Sequence, residues 1–386
     1  MKHFRISLAS VVAAAVAALV AACGGGGSDT GTSTQITSVK VFGDSLADSG
    51  TFGTKFTVQG NGGKSYAIYP DHIASTYGAP ALCPYFLSNG STFIQNPAAG
   101  CSNYAIGGGR INHTTAPTTP LSITTQLSLA AAAGSYKSTD MVVIDGGGND
   151  AADLVGAYLA AAGGDASSLL ALGSSLLGAS AATTLAQTNG AALLGGQYMA
   201  ALANTFYSSI KTHVLDKGAQ HVVVLNIPGI TNTPRFQMVL DGIAVSYGGG
   251  STGAAARAQS ETLFKSWIET FNTALAAKIG SDGRVVLVDV YAALNREVAN
   301  PKQYGLQNAK DAVCPVTGVG SDKLPTYDFP TCTDTALSAI TPPSGATGGS
   351  SWWKTYLFSD GFHPTPYGHQ LTFQQIALDL AKSGRL

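Results

Sequence analysis

Charge is what this sequence has least of. Lys and Arg number 21 and Asp and Glu 22 among 386 residues, so charged side chains make up 11% and the net charge is −1. Soluble domains usually carry about 25%. With so few cations and no basic stripe, the chain lacks the footprint of a nucleic-acid binder, and nucleic acid is not an expected partner. Cysteine is also scarce, at five residues. None stands in Cys-x-x-Cys spacing or beside a histidine, which argues against a zinc site. The stretch from Ile6 to Val20 is apolar, interrupted by Ser7 and Ser10. It is too short and too rich in Ala for a membrane span. Against these shortages stand an apolar fraction of 45% and 47 glycines. The length suits one large domain or two, with a sizeable core. The surface must be built from Gly, Ser, Thr, Asn and Gln, as suits an exported protein.

The first 22 residues read as an export signal: Lys2 and Arg5, then the apolar stretch, then Ala21-Ala22 before Cys23. The ending Val20-Ala21-Ala22-Cys23 resembles a bacterial lipobox. That resemblance implies an acylated Cys23 as mature N-terminus, followed by a Gly/Ser/Thr-rich tether over 23–35. The expectation is a membrane-anchored lipoprotein. Gly24 rather than Asp after Cys23 favours the outer membrane or cell surface, and free secretion is the alternative. Setting Cys23 aside leaves four cysteines in a disulfide-permissive compartment. Nearest-neighbour pairing, Cys83–Cys101 and Cys314–Cys332, is preferred because each closes a short loop in Pro/Gly/Asn-rich sequence. Each is worth roughly 3 kcal/mol by loop entropy.

From residue 36 to 386 the chain alternates β-branched runs with helical periodicity. Strands are expected at Ile36–Phe42, Ser102–Ile106, Met141–Asp145, His221–Ile227 and Val285–Val290. Helices are expected at Tyr66–Tyr77, Leu121–Ala133, Ala151–Ala162, Gln197–Lys217, Ser260–Ile279 and Tyr367–Lys382. This predicts one α/β domain, a mostly parallel sheet of five strands between helical layers. Gly163–Asn189 and Pro301–Lys354 exceed a minimal unit. They read as long insertions, the second a lid or substrate cover or a plain surface insertion. Its Trp352 and Trp353 either wall an acyl chain or pack the insertion itself.

Gly43-Asp44-Ser45-Leu46 follows the first strand. Asp360-Gly361-Phe362-His363-Pro364 lies near the end, with a carboxylate three residues before an imidazole. Gly107-Gly108-Gly109 and Gly146-Gly147-Gly148-Asn149-Asp150 follow two other strands. Ligands of open parallel sheets bind at such strand ends. Ser45 is a poor nucleophile without a base. His363 is the candidate base and Asp360 the group that orients it. Ser45 N–H, Gly108 N–H and the Asn149 amide supply three donors for an oxyanion. Gly107 or Gly109 is the fallback for Gly108, and His369 the alternative base. Asp44 and Asp150 are expected to brace their turns and Asp48 to favour a helix N-terminus. Arg110 and Lys354 read as solubilising charges.

These phrases are similar to the blocks of the GDSL esterase/lipase family, within the SGNH hydrolase superfamily. Gly43-Asp44-Ser45-Leu46 resembles the first block. Asn103-Tyr104-Ala105-Ile106-Gly107-Gly108 resembles the second, Gly147-Gly148-Asn149-Asp150 the third and Asp360-Gly361-Phe362-His363-Pro364 the last. The resemblance runs in order from about Val39 to the C-terminus. It implies signature roles for Ser45, Gly108, Asn149 and His363, with Asp360 completing a triad. It also implies a flavodoxin-like α/β/α sandwich and hydrolysis of carboxylic esters with no metal or cofactor. The expected partner is an ester substrate, lipid-like or short, and the expected state a monomer. A polysaccharide O-deacetylase with the same triad is the first alternative, and a non-catalytic surface-binding lipoprotein the second. The Gly-Asp, Gly-Asn-Asp and His363 phrases fit a metallophosphoesterase poorly, because no Asp-x-His or Gly-His-x-His phrase occurs.

Overall fold

The computed structural model describes residues 35–188 and 190–386, of which Ile36–Leu386 form one compact unit. The expected export signal, Cys23 and all but the last residue of the tether lie outside the described residues. The strands are β1 (Ser38–Phe42), β2 (Phe86–Ser88), β3 (Phe93–Gln95), β4 (Asp140–Ile144), β5 (His221–Leu225), β6 (Val285–Val288), β7 (Asn308–Ala312), β8 (Val316–Val319), β9 (Pro325–Tyr327) and β10 (Tyr356–Phe358). The helices are α1 (Tyr69–Thr76), α2 (Ile123–Ala133), α3 (Gly148–Ala162), α4 (Ser167–Leu177), α5 (Ala179–Thr188), α6 (Gly190–His213), α7 (Pro234–Ser246), α8 (Gly250–Ile279), α9 (Val290–Ala299), α10 (Asp334–Ala339) and α11 (Pro366–Lys382).

The central sheet is parallel, in the order β1-β4-β5-β6. Its strands are Val/Ile-rich because helices cover both faces. Alternate side chains sort into two layers. Val142, Ile144, Val222 and Val224 pack with Leu127, Leu154, Phe206 and Phe271 from α2, α3, α6 and α8. Val41, Val143, Val223 and Val288 pack with Tyr69 and Ile73 of α1 and Ile376 and Leu380 of α11. This is the expected α/β sandwich, with one correction. The sheet has four strands, not five. The segment expected as the fifth, Ser102–Ile106, meets β1 through the isolated parallel bridge Val41↔Asn103. Backbone bonds run along this contact, from Val41 N–H to Ser102 O, Tyr104 N–H to Val41 O and Ile106 N–H to Gly43 O, and Asn103 adds side-chain bonds. Its Oδ1 accepts from Ala105 N–H (3.0 Å) and its Nδ2 donates to Ala47 O (2.7 Å). The rung that is lost lies at Gly43, whose N–H donates to Gln126 Oε1 (2.9 Å) and not to this segment.

Both insertions hold regular structure. Residues 163–189 contain α4 and α5, whose Leu169, Leu172 and Ala182 join the main core beside Leu194 of α6. Residues 301–354 carry β7, the β8–β9 hairpin and α10. Trp352 and Trp353 are buried with Val313, Leu337 and Tyr356 in a separate small core. They pack the insertion and do not wall the cavity described below. Cys314–Cys332 closes this region and Cys83–Cys101 closes the loop carrying the β2–β3 hairpin, as paired in the sequence analysis.

Candidate active site

Strand β1 ends where glycine alone fits. A Cβ on Gly43 would lie 1.6 Å from Asp145 Oδ1. Gln126 of α2 clamps this turn from the other side, accepting from Gly43 N–H (2.9 Å) and donating to Gly43 O (3.0 Å). Asp44 N–H donates to Asp145 Oδ1 (3.0 Å), and Asp44 Oδ1 accepts from Leu46 N–H (3.0 Å), bracing the turn as expected. No helix starts at Ser45. Asp48 instead accepts from Gly50 and Thr51 N–H with one oxygen and from Gly107 N–H with the other. It ties the first glycine phrase to the second.

The C-terminal phrase forms a tight loop after β10, closed by Ser359 N–H donating to His363 O (2.7 Å). Asp360 is buried, and its Oδ1 accepts from Phe362 N–H (2.8 Å) and His363 N–H (2.7 Å). Both carboxylate oxygens lie 2.9 Å from His363 Nδ1. Burial pushes the Asp360 carboxyl up, yet the His363 charge and hydrogen bonds together outweigh it and hold the group below the usual carboxylate range. An ionised Asp360 only accepts, so Nδ1 carries the proton and Nε2 is left as acceptor. His363 Nε2 is 2.8 Å from Ser45 Oγ. Residues separated by most of the chain thus form one hydrogen-bonded line. His369, the alternative base, is buried with neither ring nitrogen bonded, and burial holds it down at about 3. It stacks on Tyr69 at 6.4 Å.

The donors converge on the same place. Gly107 N–H is committed to Asp48 (2.8 Å) and Gly109 N–H to Ile106 O (2.9 Å). Among the described residues Gly108 N–H and Ser45 N–H have no acceptor. Gly108 adopts φ 79°, a left-handed conformation suited to glycine. Arg110 holds its carbonyl (Nη1 to O, 2.7 Å) while pairing with Asp153 of α3 through Nε (2.5 Å) and Nη2 (2.9 Å). The solubilising role expected of Arg110 is therefore corrected: it props the glycine turn. Asn149 Nδ2 donates one hydrogen to Gly109 O (2.9 Å), leaving a second. Asp150 accepts from Ile111 and Asn112 N–H and braces the turn after the second glycine phrase rather than its own.

Ser45, Gly108, Asn149 and His363 line one cavity of about 260 Å³. Much of the remaining wall is apolar, including Leu225, Ile230, Val290, Leu294, Phe358 and Phe362. Phe56 and Phe329 flank the His363 ring at centroid distances of 5.2 and 5.4 Å. Phe329 comes from the second insertion, so that segment reaches the His363 ring. Sequence reasoning missed Gln126, Phe56 and Phe329. Nothing local marks them, since each acts only through a partner distant in the chain.

The chain is 27% identical over 367 residues to "Lipase 1" of Photorhabdus luminescens, covering 86% of this chain and 48% of that protein. It thus spans about half the length of the curated relative it matches. An extracellular lipase from Streptomyces rimosus of known structure shares 17% identity, over 89% of this chain and 99% of that one, with a TM-score of 0.38. Residues 39–376 match the family described as GDSL-like Lipase/Acylhydrolase. By that match the chain belongs to the GDSL-like lipase/acylhydrolase family.

Proposed function

We propose that the protein hydrolyses carboxylic esters through an acyl-enzyme on Ser45, with His363 as base and Asp360 as its orienter. The observation that carries this is the line from Ser45 Oγ to His363 Nε2 and from His363 Nδ1 to the Asp360 carboxylate. Ser45 Oγ attacks the carbonyl carbon as its proton passes to Nε2. The tetrahedral oxyanion takes hydrogen bonds from Ser45 N–H, Gly108 N–H and the second Asn149 hydrogen. Collapse breaks the carbon–oxygen bond, and the departing alcohol takes the proton from Nε2. Water then repeats the sequence on the acyl-enzyme, releasing acid and restoring Ser45. Asp360 stabilises the transient imidazolium without itself gaining the proton.

The apolar cavity wall supports acyl esters as substrates over acetylated polysaccharide. The lipase name of the Photorhabdus relative points the same way. On the sequence pattern, we further propose export and a lipid anchor on Cys23. Among the described residues no helix is long and apolar enough to cross a membrane. The test is labelling by an organophosphonate followed by mass mapping. Label on Ser45 is expected, and Ser45→Ala should lower kcat by about four to six orders of magnitude. Retained activity in Ser45→Ala ends the proposal.

A further inference from the structure

Helix α9 turns Val290, Ala293, Leu294 and Glu297 toward the same cavity as Ser45 and His363. Helical spacing makes the fourth of these an apolar position, and a carboxylate fills it. Glu297 is only 6% exposed. Among the described residues its carboxyl has no hydrogen bond or ion pair. The adjacent Arg296 turns away to Gln375 Oε1 (2.9 Å). Three other polar side chains of the cavity wall are already engaged. Asn226 donates to Asp289 and accepts from Tyr291 N–H, Thr233 donates to Ile230 O, and Thr372 donates to Gly368 O. Among the described residues no Lys or Arg lines the cavity. The ring nitrogens of His369 are shielded from its space. Burial alone pushes Glu297 up to about 7, with Arg296 only partly offsetting it. Buried polar groups in folded proteins are hydrogen-bonded, and an exception calls for an explanation.

We infer that Glu297 is a specificity-determining residue that accepts a hydrogen bond from a donor, hydroxyl or ammonium, at the far end of the substrate's acyl arm. The acyl arm is assigned because it alone stays bound through the acyl-enzyme, while the alcohol must leave and water must enter. The inference rests on the hydrolase reading above. A site built around a hydrogen bond rejects the analogue lacking it, because the buried group is then left unpaired. The cavity would therefore take esters with an apolar arm ending in one polar donor, in preference to plain alkyl esters.

The test uses p-nitrophenyl esters over a series of acyl lengths, each with a terminal methyl, hydroxyl or ammonium group. Wild type, Glu297→Gln and Glu297→Leu are compared by kcat/KM. At the best length wild type should favour a donor-ended ester over the methyl-ended one by about 10-fold or more. A hydroxyl preference that survives in Glu297→Gln identifies a neutral donor, and an ammonium preference lost in Glu297→Gln identifies a cation. Glu297→Leu should prefer the methyl end. The near-isosteric Gln variant keeps the test valid if the Leu variant folds poorly. If all three enzymes are active with the same preference, Glu297 binds only water or nothing, and the inference is overturned while the hydrolase stands. A wild type that cleaves none of the esters removes both.

Discussion

The loop after β10 and helix α9 each bury a carboxyl near the same cavity. In the loop, Asp360 accepts from two backbone N–H groups and from His363, and is held below its usual range. On the helix, Glu297 accepts from nothing among the described residues and is pushed up to about 7. Burial raises both groups, so burial does not distinguish them. The backbone does. A tight loop aims free N–H groups two and three residues ahead back at its own Asp side chain. A helix interior has spent those N–H groups on its ladder. A carboxylate on α9 can be satisfied only by another element or by a ligand. The loop thus holds a charged carboxylate beside His363, the proposed orienter, and the helix holds an acceptor awaiting a donor.

The most severe way to break this contrast is Asp360→Asn. The amide keeps the shape but no longer dictates that Nδ1 carries the proton, and kcat should fall by about 10⁴. Steady-state kinetics within 10-fold of wild type would sink the assigned role. Next is Asn149→Ala, which removes one oxyanion donor. A loss of about 10² to 10³ in kcat with little change in KM is expected. Arg110→Ala should cost about 10- to 100-fold in kcat by loosening Gly108, without touching substrate. Its check is that Arg110→Lys, which cannot hold Asp153 and the Gly108 carbonyl with one planar fork, recovers little.

The smallest effect sharpens the contrast through stability. Glu297 is protonated in the folded state up to about 7, against an ordinary value of 4.5. Between those values the unfolded chain ionises first, so its share of stability falls as pH rises, by at most about 3 kcal/mol. Glu297→Gln should flatten that slope in urea titrations run from pH 4.5 to 7.5. Asp360 has the opposite sign, because its folded value is depressed. Its stabilisation is present above the ordinary carboxylate range and is lost only as pH falls through the lowered value. A Glu297→Gln slope identical to wild type would show that the carboxyl has a partner after all.

Much of the site was legible because each part is a short phrase at the end of an apolar run. Gly43-Asp44-Ser45-Leu46 and Asp360-Gly361-Phe362-His363 carry their own bracing in Asp44 and Asp360. The ambiguity among three glycines was settled only by partners. Asp48 takes the N–H of Gly107 and Ile106 takes that of Gly109, leaving Gly108. Helix α7 was overlooked although Thr233-Pro234 is a good helix start, with Pro at the first position. Helix α9 is likewise absent from the expected elements, only its first residue Val290 being placed at the end of a strand, although Asp289 caps it by accepting from Ala292 N–H. In both cases the start signal was local and readable, and the helix is short. The fifth strand failed for a different reason. The next rung would need Gly43 N–H, which is taken by Gln126 of α2, a partner distant in the chain.

Composition, periodicity and spacing were enough for the α/β alternation, the cysteine pairs and the choice of candidate reacting groups, because these depend on local chemistry repeated along the chain. The meeting of Ser45 with His363, the bracing of Gly108 by Arg110 and Asp153, and the unmet carboxyl of Glu297 belong to tertiary structure. Each is a relation between residues brought together by packing. No local pattern encodes whether a buried polar atom ends up with a partner.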